Sequence, residues 1–479
     1  MKNSNIYKNH QLIKDHKTTY KQLVQEQLDR ASESMTNNEN IVLDVYPKEA
    51  LALAETLDKA QDNNIFSGVT VFLKDNVNFK DHITTSGSLI FQDVISSYDA
   101  TIVDNIKKHK GIILGKTNLD EFGHAGTGTW SAYGVVKNTL DPEKITGGSS
   151  SGSVSAVYAD FCDFAIGSDT GDSIRHPASY VGVVGYKPSY GVVSRYGITP
   201  YASSLDHVGV IAKTVMDATI GTDMIKGYDP KDLTSVDVID GNFCDHLEIT
   251  DHKYKIVILS DVVALLDEKI KPQFNRFVED LKSKYEVEFV DFDITLLDMI
   301  GPLYASISYF EGLTNWNNIN GILFSGKGVD YNNYNDLLVK VRSNLGGEIK
   351  NRYMISNLLM NETNFDTVFE NSIKIRRIIV NRANEILEKC DAILIPSASV
   401  YAPEIEVALA RKAPSNSCDD ALQIANFAGL PSITIPLTSL DNKNAIGINL
   451  TSKKYEDLKV LNVAYNLEEF IKNNGYYNE

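Results

Sequence analysis

Cysteine is scarce in this chain. Its 479 residues include four cysteines, and no two of them form a CxxC pair. A disulfide framework or a zinc site needs clustered cysteines, so we expect four unlinked, inert thiols. They are Cys162, Cys244, Cys390 and Cys418. The nine histidines show no ligand spacing of the HxxxH type, and we therefore predict no metal site.

The chain also lacks long hydrophobic runs and long basic runs. No uncharged apolar stretch approaches the ~18 residues of a membrane-spanning helix. The segment Met1–Arg30 has no apolar core and includes acidic side chains, unlike a secretory or transit peptide. Acidic residues outnumber basic ones by 63 to 46, for a net charge of −17. Direct nucleic-acid binding usually requires a basic face. We predict a cytoplasmic enzyme or a member of a larger assembly, with any nucleic acid held by another component.

Strand-like and helix-like segments alternate along the sequence. Apolar runs predict strands at 68–74, 111–114, 161–166, 255–259 and 392–395. Amphipathic or small-residue patterns predict helices at 17–35, 99–108, 154–159, 263–284 and 366–390. A loop rich in Gly, Thr and Asn is expected over 123–146. Such alternation is typical of an α/β sandwich.

No repeat, low-complexity run or clear linker interrupts the chain. We therefore predict one domain over residues 1–479. Within it we expect N-terminal helices to about residue 60 and a catalytic core over about 61–260. A helical elaboration and the C-terminal part would occupy about 261–479.

Two short motifs resemble known functional signatures but lack the spacing or the preceding strand that those signatures require. Gly111–Thr117 looks like a phosphate-binding loop, but three residues separate its glycines where four are needed. Gly148–Gly152 satisfies the G-x-S-x-G pattern, yet it follows a turn and not an apolar strand. No histidine is singled out as the partner of a serine. Serine catalysis in this chain would therefore need another base.

Lys74 is the candidate for that base because it ends an apolar strand-like run. An ordinary lysine has a pKa near 10.4, so only ~1 in 2,500 is neutral at pH 7. Burial in an apolar strand could lower that pKa by about three units, at a cost of about 4 kcal/mol. A lysine at a strand end is also commonly a surface residue, and composition alone leaves both interpretations open.

Two loops rich in glycine and serine supply further candidates. The first is Gly147–Ser153. The second contains Thr170, Gly171, Asp172 and Ser173, whose four successive backbone N–H groups can converge on one oxyanion in a tight turn. A plain turn is the alternative for each loop taken singly.

These segments, taken in order, resemble the amidase-signature family. The matching segments are 73–76, 115–122, 147–153, 167–178 and 182–191. The resemblance covers nearly the whole chain and implies a large α/β/α sandwich around a central mixed β-sheet. It implies that Lys74 is the general base and that Ser149, in a cis peptide bond, relays the proton. It also implies that Ser173 is the nucleophile.

The second half is most similar to the branch of this family that provides glutaminase subunits to tRNA-dependent amidotransferases. Segment 346–352 resembles the one whose arginine binds the carboxylate of glutamine, which implies Arg352. Segment 418–431 resembles the one whose aspartate binds the α-amino group, which implies Asp420. A free amino acid needs one fork-like cation and one carboxylate. The alternative, that both are helix-surface residues, stays open.

The same resemblance implies that this chain needs no cofactor of its own. Glutamine would be the substrate, and the B and C subunits of the amidotransferase would complete a heterotrimer. The B subunit would hold the tRNA and use ATP and magnesium to activate Glu-tRNA(Gln), with Asp-tRNA(Asn) as a second candidate. A free-standing amidase for another small amide and a catalytically impaired scaffold protein remain the alternatives.

Two residues depart from the family pattern. Ser151 replaces a usual glycine in the first loop, and Asp172 replaces a usual glycine just before the nucleophile. The Asp172 N–H could still donate, but a carboxylate facing the oxyanion would oppose its negative charge. Since Asp tolerates unusual backbone angles, we expect the Asp172 side chain to point away from the oxyanion pocket.

Overall fold

An eleven-stranded mixed β-sheet runs through the protein. The computed structural model describes residues 4–62, 64–238, 241–322, 329–361, 364–439 and 443–476. The strands are β1 (Val42–Val45), β2 (Thr70–Lys74), β3 (Ile112–Thr117), β4 (Phe164–Asp169), β5 (Val184–Lys187), β6 (His207–Ala212), β7 (Lys255–Leu259), β8 (Glu286–Val290), β9 (Ala392–Pro396), β10 (Ser432–Ser439) and β11 (Ala445–Thr451). The expected central mixed sheet is confirmed.

The order of the strands across the sheet is β1-β3-β2-β4-β6-β5-β10-β11-β9-β7-β8. Strands β3, β2 and β4 are parallel, as are β9, β7 and β8, and the strands between these two groups pair antiparallel. Because β2 and β4 run side by side in one direction, their carboxyl ends meet at the same edge. Lys74 ends β2 at that edge, and the loop that contains Ser173 follows β4 there.

Helices connect the strands. They are α1 (Asn5–Lys14), α2 (Tyr20–Thr36), α3 (Pro47–Ala60), α4 (Thr101–Lys108), α5 (Ser151–Tyr158), α6 (Arg175–Val181), α7 (Val215–Ile225), α8 (Ser260–Ala264), α9 (Lys271–Leu281), α10 (Ile294–Trp316), α11 (Tyr334–Arg342), α12 (Gly347–Leu359), α13 (Asn371–Leu387), α14 (Ile405–Leu409), α15 (Ser417–Asp420), α16 (Ile424–Ala428) and α17 (Asp457–Asn473). Single 3-10 turns occur at Leu89–Phe91, Glu121–Gly123, Cys244–His246 and Ala421–Gln423, and a π-turn at Phe365–Glu370 precedes α13. No described helix is both long and apolar enough to cross a bilayer.

Strand β2 is buried on both faces of the sheet. Val71 and Leu73 belong to the larger hydrophobic core, whereas Phe72 belongs to a second core that also contains residues of α2, α3 and α5. Successive side chains of a strand point to opposite faces, so an unbroken apolar run requires cover on both sides. The apolar run before Lys74 therefore produces a fully covered strand.

Two predicted features of the second half are wrong. The single helix expected over 263–284 is two helices, because α8 ends at Ala264 and α9 begins at Lys271. Pro272 has no N–H to donate and is favoured in the first turn, so it starts a helix here. The helical elaboration also contains strand β8, whose exposed glutamates resemble a solvated helix face. That the whole chain is one domain stays a prediction.

Candidate active site

Lys74 is fully buried at the carboxyl end of β2. Its Nζ donates to Ser149 Oγ at 2.7 Å, to Ser150 Oγ at 2.9 Å and to Ser168 Oγ at 2.9 Å. Ser168 lies in β4, the neighbouring parallel strand. The interpretation of Lys74 as a surface residue is therefore wrong, because its amine is enclosed by hydroxyl groups from a serine loop and a strand.

Burial sets the charge state of this lysine. Loss of hydration lowers the pKa of Lys74 to about 7, although the carboxylates of Asp120, Asp169 and Asp206 act in the opposite direction. Desolvation disfavours the charged form of an amine, which explains the sign of the shift. Near neutral pH a large fraction of Lys74 is thus uncharged and can accept a proton.

Ser149 is held against Lys74 by backbone bonds from both sides. The Gly148–Ser149 peptide bond is cis, as the family resemblance implies. Gly148 N donates to Gly126 O at 2.8 Å, and Asp120 N donates to Ser149 O at 3.3 Å. A side chain at Gly123 would begin 3.6 Å from Ser149 Oγ, so the backbone of that loop lies directly beside the Ser149 hydroxyl.

The Ser173 loop is built around a buried ion pair. Arg175 and Asp169 are both fully buried, with 3.0 Å between Arg175 Nη2 and Asp169 Oδ1. Burial alone would raise the pKa of Asp169, but the guanidinium lowers it well below its ordinary value. Arg175 Nη2 also donates to Gly171 O, and Ile174 N donates to Asp169 Oδ2. The pair thus fixes both ends of the turn that presents Ser173.

The two serine loops meet directly. Ser150 N donates to Ser173 O at 3.2 Å, and Ser173 is 5% exposed, so its hydroxyl lies in an enclosed site. Between described residues, no backbone bond uses the N–H of Gly171, Asp172 or Ser173. These N–H groups are therefore available to a substrate oxygen.

The Asp172 carboxylate lies near the helix that follows the loop. Asp172 Oδ2 is 3.7 Å from His176 Nδ1, one turn further along the chain. Burial, and then the charge of Asp169, raise the pKa of Asp172 to about 7. A carboxyl group that is partly protonated at neutral pH opposes an oxyanion less than a full charge would. Its orientation away from the oxyanion pocket stays a prediction.

Arg352 points inward from α12. Its Nε donates to Glu348 Oε1 at 2.9 Å, and its Nη1 donates to Tyr201 Oη at 3.1 Å. The guanidinium lies 5.2 Å from the ring centre of Tyr309, and the side chain is only 13% exposed. The helix-surface alternative is therefore wrong for Arg352. After these two hydrogen bonds, the guanidinium still has N–H groups that can donate to a ligand.

Asp420 ends the short helix α15. Its Oδ1 accepts from Gln423 Nε2 at 3.1 Å. Burial, followed by the charges of Asp172 and Asp419, raises the pKa of Asp420 to about 7. Because neighbouring carboxylates repel the charge of Asp420, a bound cation would lower its pKa and favour the ionised form. Asp420 is thus suited to an ammonium group.

Helix α10 links all three parts of this site. Gly301 lies so close to Asp420 that a Cβ there would be 2.4 Å from its Oδ2. The Tyr304 ring lies beside Gly171 in the Ser173 loop, 3.0 Å from the position that a Cβ of Gly171 would take. Tyr309, on the same helix, lies against the Arg352 guanidinium. One helix therefore fixes the spacing between the Ser173 loop, the Arg352 guanidinium and the Asp420 carboxylate.

Several of these residues were not predicted from the sequence. Ser150 and Ser168 are hydrogen-bond partners of Lys74, and Tyr201 holds Arg352. Asp169 and Arg175 lie inside a recognised motif, so their opposite charges were a usable signal for an ion pair. Nothing in the sequence connects α10 with loops more than a hundred residues away. Among described residues, no cluster of His, Cys, Asp and Glu has the geometry to hold a metal ion.

A family model described as Amidase matches residues 22–461. The chain belongs to the amidase family. The resemblance inferred from its motifs is thereby confirmed, and it extends over more than nine-tenths of the sequence. The ordered loops around Lys74, Ser149 and Ser173 lie inside the matched region of this amidase-family chain.

Similar proteins narrow the comparison within the family. The A subunit of glutamyl-tRNA(Gln) amidotransferase from Mycoplasma genitalium is 37% identical over 450 residues, covering 92% of each chain. The protein of the same name from Caldanaerobacter subterraneus subsp. tengcongensis is 33% identical over 436 residues, covering 90% of this chain and 88% of that one.

Solved structures give the same picture of the amidase fold. The A subunit of glutamyl-tRNA(Gln) amidotransferase from Thermotoga maritima has a TM-score of 0.73 at 30% identity, covering 95% of this chain and 94% of the other. A peptide amidase from Stenotrophomonas maltophilia has a TM-score of 0.82 at 23% identity, covering 98% and 97%. The second likeness establishes the fold alone, since other chemistry shares it.

Proposed function

We propose that this chain is the glutaminase component of a tRNA-dependent amidotransferase. In this role it hydrolyses glutamine to glutamate and delivers ammonia for the conversion of Glu-tRNA(Gln) to Gln-tRNA(Gln). The observation that carries the proposal is the 2.7 Å contact between Lys74 Nζ and Ser149 Oγ, in a fully buried site beside the Ser173 loop. The relatives from Mycoplasma genitalium and Caldanaerobacter subterraneus, which match over most of their length, support the same function.

The proposed chemistry follows from the proton-accepting lysine. Neutral Lys74 takes a proton from Ser149, which takes one from Ser173 as the latter attacks the side-chain amide carbon of glutamine. The backbone N–H groups of Thr170, Gly171, Asp172 and Ser173 are proposed to stabilise the resulting oxyanion. The proton returns through Ser149 to the departing nitrogen, which leaves as ammonia. Water then cleaves the glutamyl ester and restores Ser173.

Arg352 and Asp420 are proposed to select the amino acid. Arg352 would bind the α-carboxylate through its free guanidinium N–H groups. Asp420 would bind the α-ammonium group, whose charge would offset the repulsion between Asp420 and its acidic neighbours. An amide without both charged groups would leave a buried cation or a buried carboxylate uncompensated. This pair favours glutamine over an apolar amide.

The proposed partners are the B and C subunits of a heterotrimer. The B subunit would hold the tRNA and use ATP and magnesium, and this chain would need no cofactor. The net charge of −17 is consistent with leaving the polyanionic tRNA to another component. We propose a cytoplasmic location. Asp-tRNA(Asn) is a second candidate acceptor, and the choice between the two tRNAs would be made outside this chain.

The deciding experiment measures glutamate released from glutamine by the purified chain, with and without the B and C subunits. Wild type is expected to release glutamate, and the partners are expected to increase the rate. Ser173→Ala should lower kcat by at least about 10³-fold, because it removes the nucleophile. Ser203→Ala, which changes a serine outside the two loops, is the matched control.

The outcomes separate the alternatives. Glutamate release that survives in Ser173→Ala would contradict the assignment of the nucleophile. Hydrolysis of other small amides at rates above those for glutamine, with no response to partners, would favour a free-standing amidase. No hydrolysis in any combination, together with normal complex assembly, would favour a scaffold protein.

A further inference from the structure

Glu121 connects the catalytic loops with the helix that carries Arg352. The residue is 3% exposed and lies in the short turn that follows Asp120. Its Oε1 accepts a hydrogen bond from Ser88 Oγ, and its Oε2 accepts one from Gly346 N at 2.9 Å. No step of the proposed reaction uses this carboxylate, so its burial needs another explanation.

Gly346 is the N-cap residue of α12, and no side chain of its own caps the helix. The first N–H groups of a helix have no partner within it, and a carboxylate near them is favoured by the helix dipole. The backbone approaches Glu121 so closely that a Cβ at Gly346 would lie 2.3 Å from Oε2. Glu121 therefore supplies from a distant loop the cap that α12 lacks.

Helix α12 is only partly buried, and it packs against α10. Of its 13 residues only Ile349 and Ser356 are buried, whereas Met354 and Leu358 are 64% and 63% exposed. Arg352 lies six residues after Gly346, or about 9 Å along the helix axis. Because a helix moves largely as a rigid unit, a shift at the capped end would also displace the guanidinium from its contacts with Tyr201 and Tyr309.

The same turn is anchored to the catalytic side. Asp120 N donates to Ser149 O, and Gly123 N donates to Asp120 O at 2.8 Å. Phe122 has a left-handed backbone with φ of 55° and packs in a small core with Ile349 of α12. Residues 120–123 thus touch the relay serine at one end and α12 at the other.

We propose that Glu121 is a positioning residue that places Arg352 for the α-carboxylate of the substrate. It thereby determines the preference for amides that carry this carboxylate. The inference rests on the proposed glutaminase function. It adds that the α-carboxylate site depends on a cap donated by the catalytic region and not on α12 alone.

The test compares Glu121→Ala and Glu121→Gln for hydrolysis of glutamine and of 4-aminobutanamide, which is glutamine without its α-carboxylate. Glu121→Ala should raise KM for glutamine about tenfold or more, since the lost cap leaves a buried N–H unpaired. Its kcat should change less than about threefold, and KM for 4-aminobutanamide should change little. Glu121→Gln retains an acceptor for Gly346 N and should restore KM to within about threefold of wild type.

Asp217→Ala is the matched control. Asp217 is also a buried carboxylate, and it accepts the Asn5 and Ile6 N–H groups at the start of α1. Its loss should lower stability without raising KM for glutamine. Hydrogen exchange gives a readout independent of activity: amides at the start of α12 should exchange faster in Glu121→Ala than in wild type or Asp217→Ala.

The failures of the two proposals can be told apart. A wild type that hydrolyses no glutamine contradicts the proposed function, and the exchange measurement then decides the role of Glu121 as the cap of α12. An active wild type whose KM is unchanged by Glu121→Ala contradicts the positioning role. Equal losses for glutamine and 4-aminobutanamide would also overturn it, because they indicate general damage.

Discussion

Burial lowers the pKa of Lys74 to about 7, so the rate should depend on pH in a defined direction. In the proposed mechanism the reactive form is the neutral amine, which becomes scarcer as pH falls below the pKa of about 7. We expect kcat at saturating glutamine to be flat above about pH 8 and to fall about tenfold per unit below about pH 6. A pH series of glutamate release checks this. A rate that stays constant down to about pH 5 would contradict a lysine base.

Single charges should also control substrate affinity. We expect Arg352→Ala or Asp420→Ala to raise KM for glutamine at least about tenfold, because each leaves a charged end of the substrate unpaired. Steady-state kinetics measures the effect, and Arg30→Ala, a change at a half-exposed arginine of α2, serves as the control. A KM for glutamine equal to that of wild type in either site variant would contradict the proposal that glutamine is the substrate.

At the scale of elements, the Asp169–Arg175 pair should be the main support of the Ser173 loop. Arg175 donates to Asp169, to Gly171 O and to Asn426 Oδ1, all within the buried interior. Arg175→Met leaves the Asp169 charge buried without its partner, and we expect a loss of about 3–5 kcal/mol in the free energy of unfolding. Urea denaturation gives this value.

An exposed arginine provides the comparison. Arg30 pairs with Glu26 at 3.7 Å on the surface of α2, where solvent screens the charges. Arg30→Met should cost less than about 1 kcal/mol. Equal losses in the two variants would mean that the buried pair does not support the loop.

The elements themselves were predictable to different degrees. Strand β2 was predicted because an unbroken apolar run has few alternatives, and β7 and β9 for the same reason. The break between α8 and α9 was missed because apolar residues continue across it with helical spacing. Strand β8 was missed because an edge strand with alternating glutamates has no buried run.

At the scale of the whole molecule, charge should keep tRNA away from this chain alone. Its 63 acidic and 46 basic residues give a net charge of −17, which repels a polyanion at long range. We expect no retention of tRNA by the purified chain at ~0.15 M salt in a filter or gel-shift assay. Retention should appear once the B subunit is added. Tight, salt-sensitive binding by the isolated chain would contradict the proposal that the B subunit holds the tRNA.

The sequence by itself determined the family, the mixed α/β sheet and the identity of the candidate catalytic residues. It could do so because short motifs of glycine, serine and lysine impose local backbone shapes and chemistry that few other segments share. The mixed sheet and the family are confirmed, whereas the roles of Lys74, Ser149 and Ser173 stay proposals.

Only the tertiary structure decided how these groups are brought together. The pKa of Lys74 depends on its enclosure by residues from β4 and the first serine loop. Neither the burial of a side chain nor the charge beside it can be read from a single position of the sequence. The same holds for α10, which reaches Gly171, Arg352 and Asp420, and for Glu121, which caps a helix 225 residues away. Local sequence sets local shape, but electrostatics and substrate spacing depend on packing between distant segments.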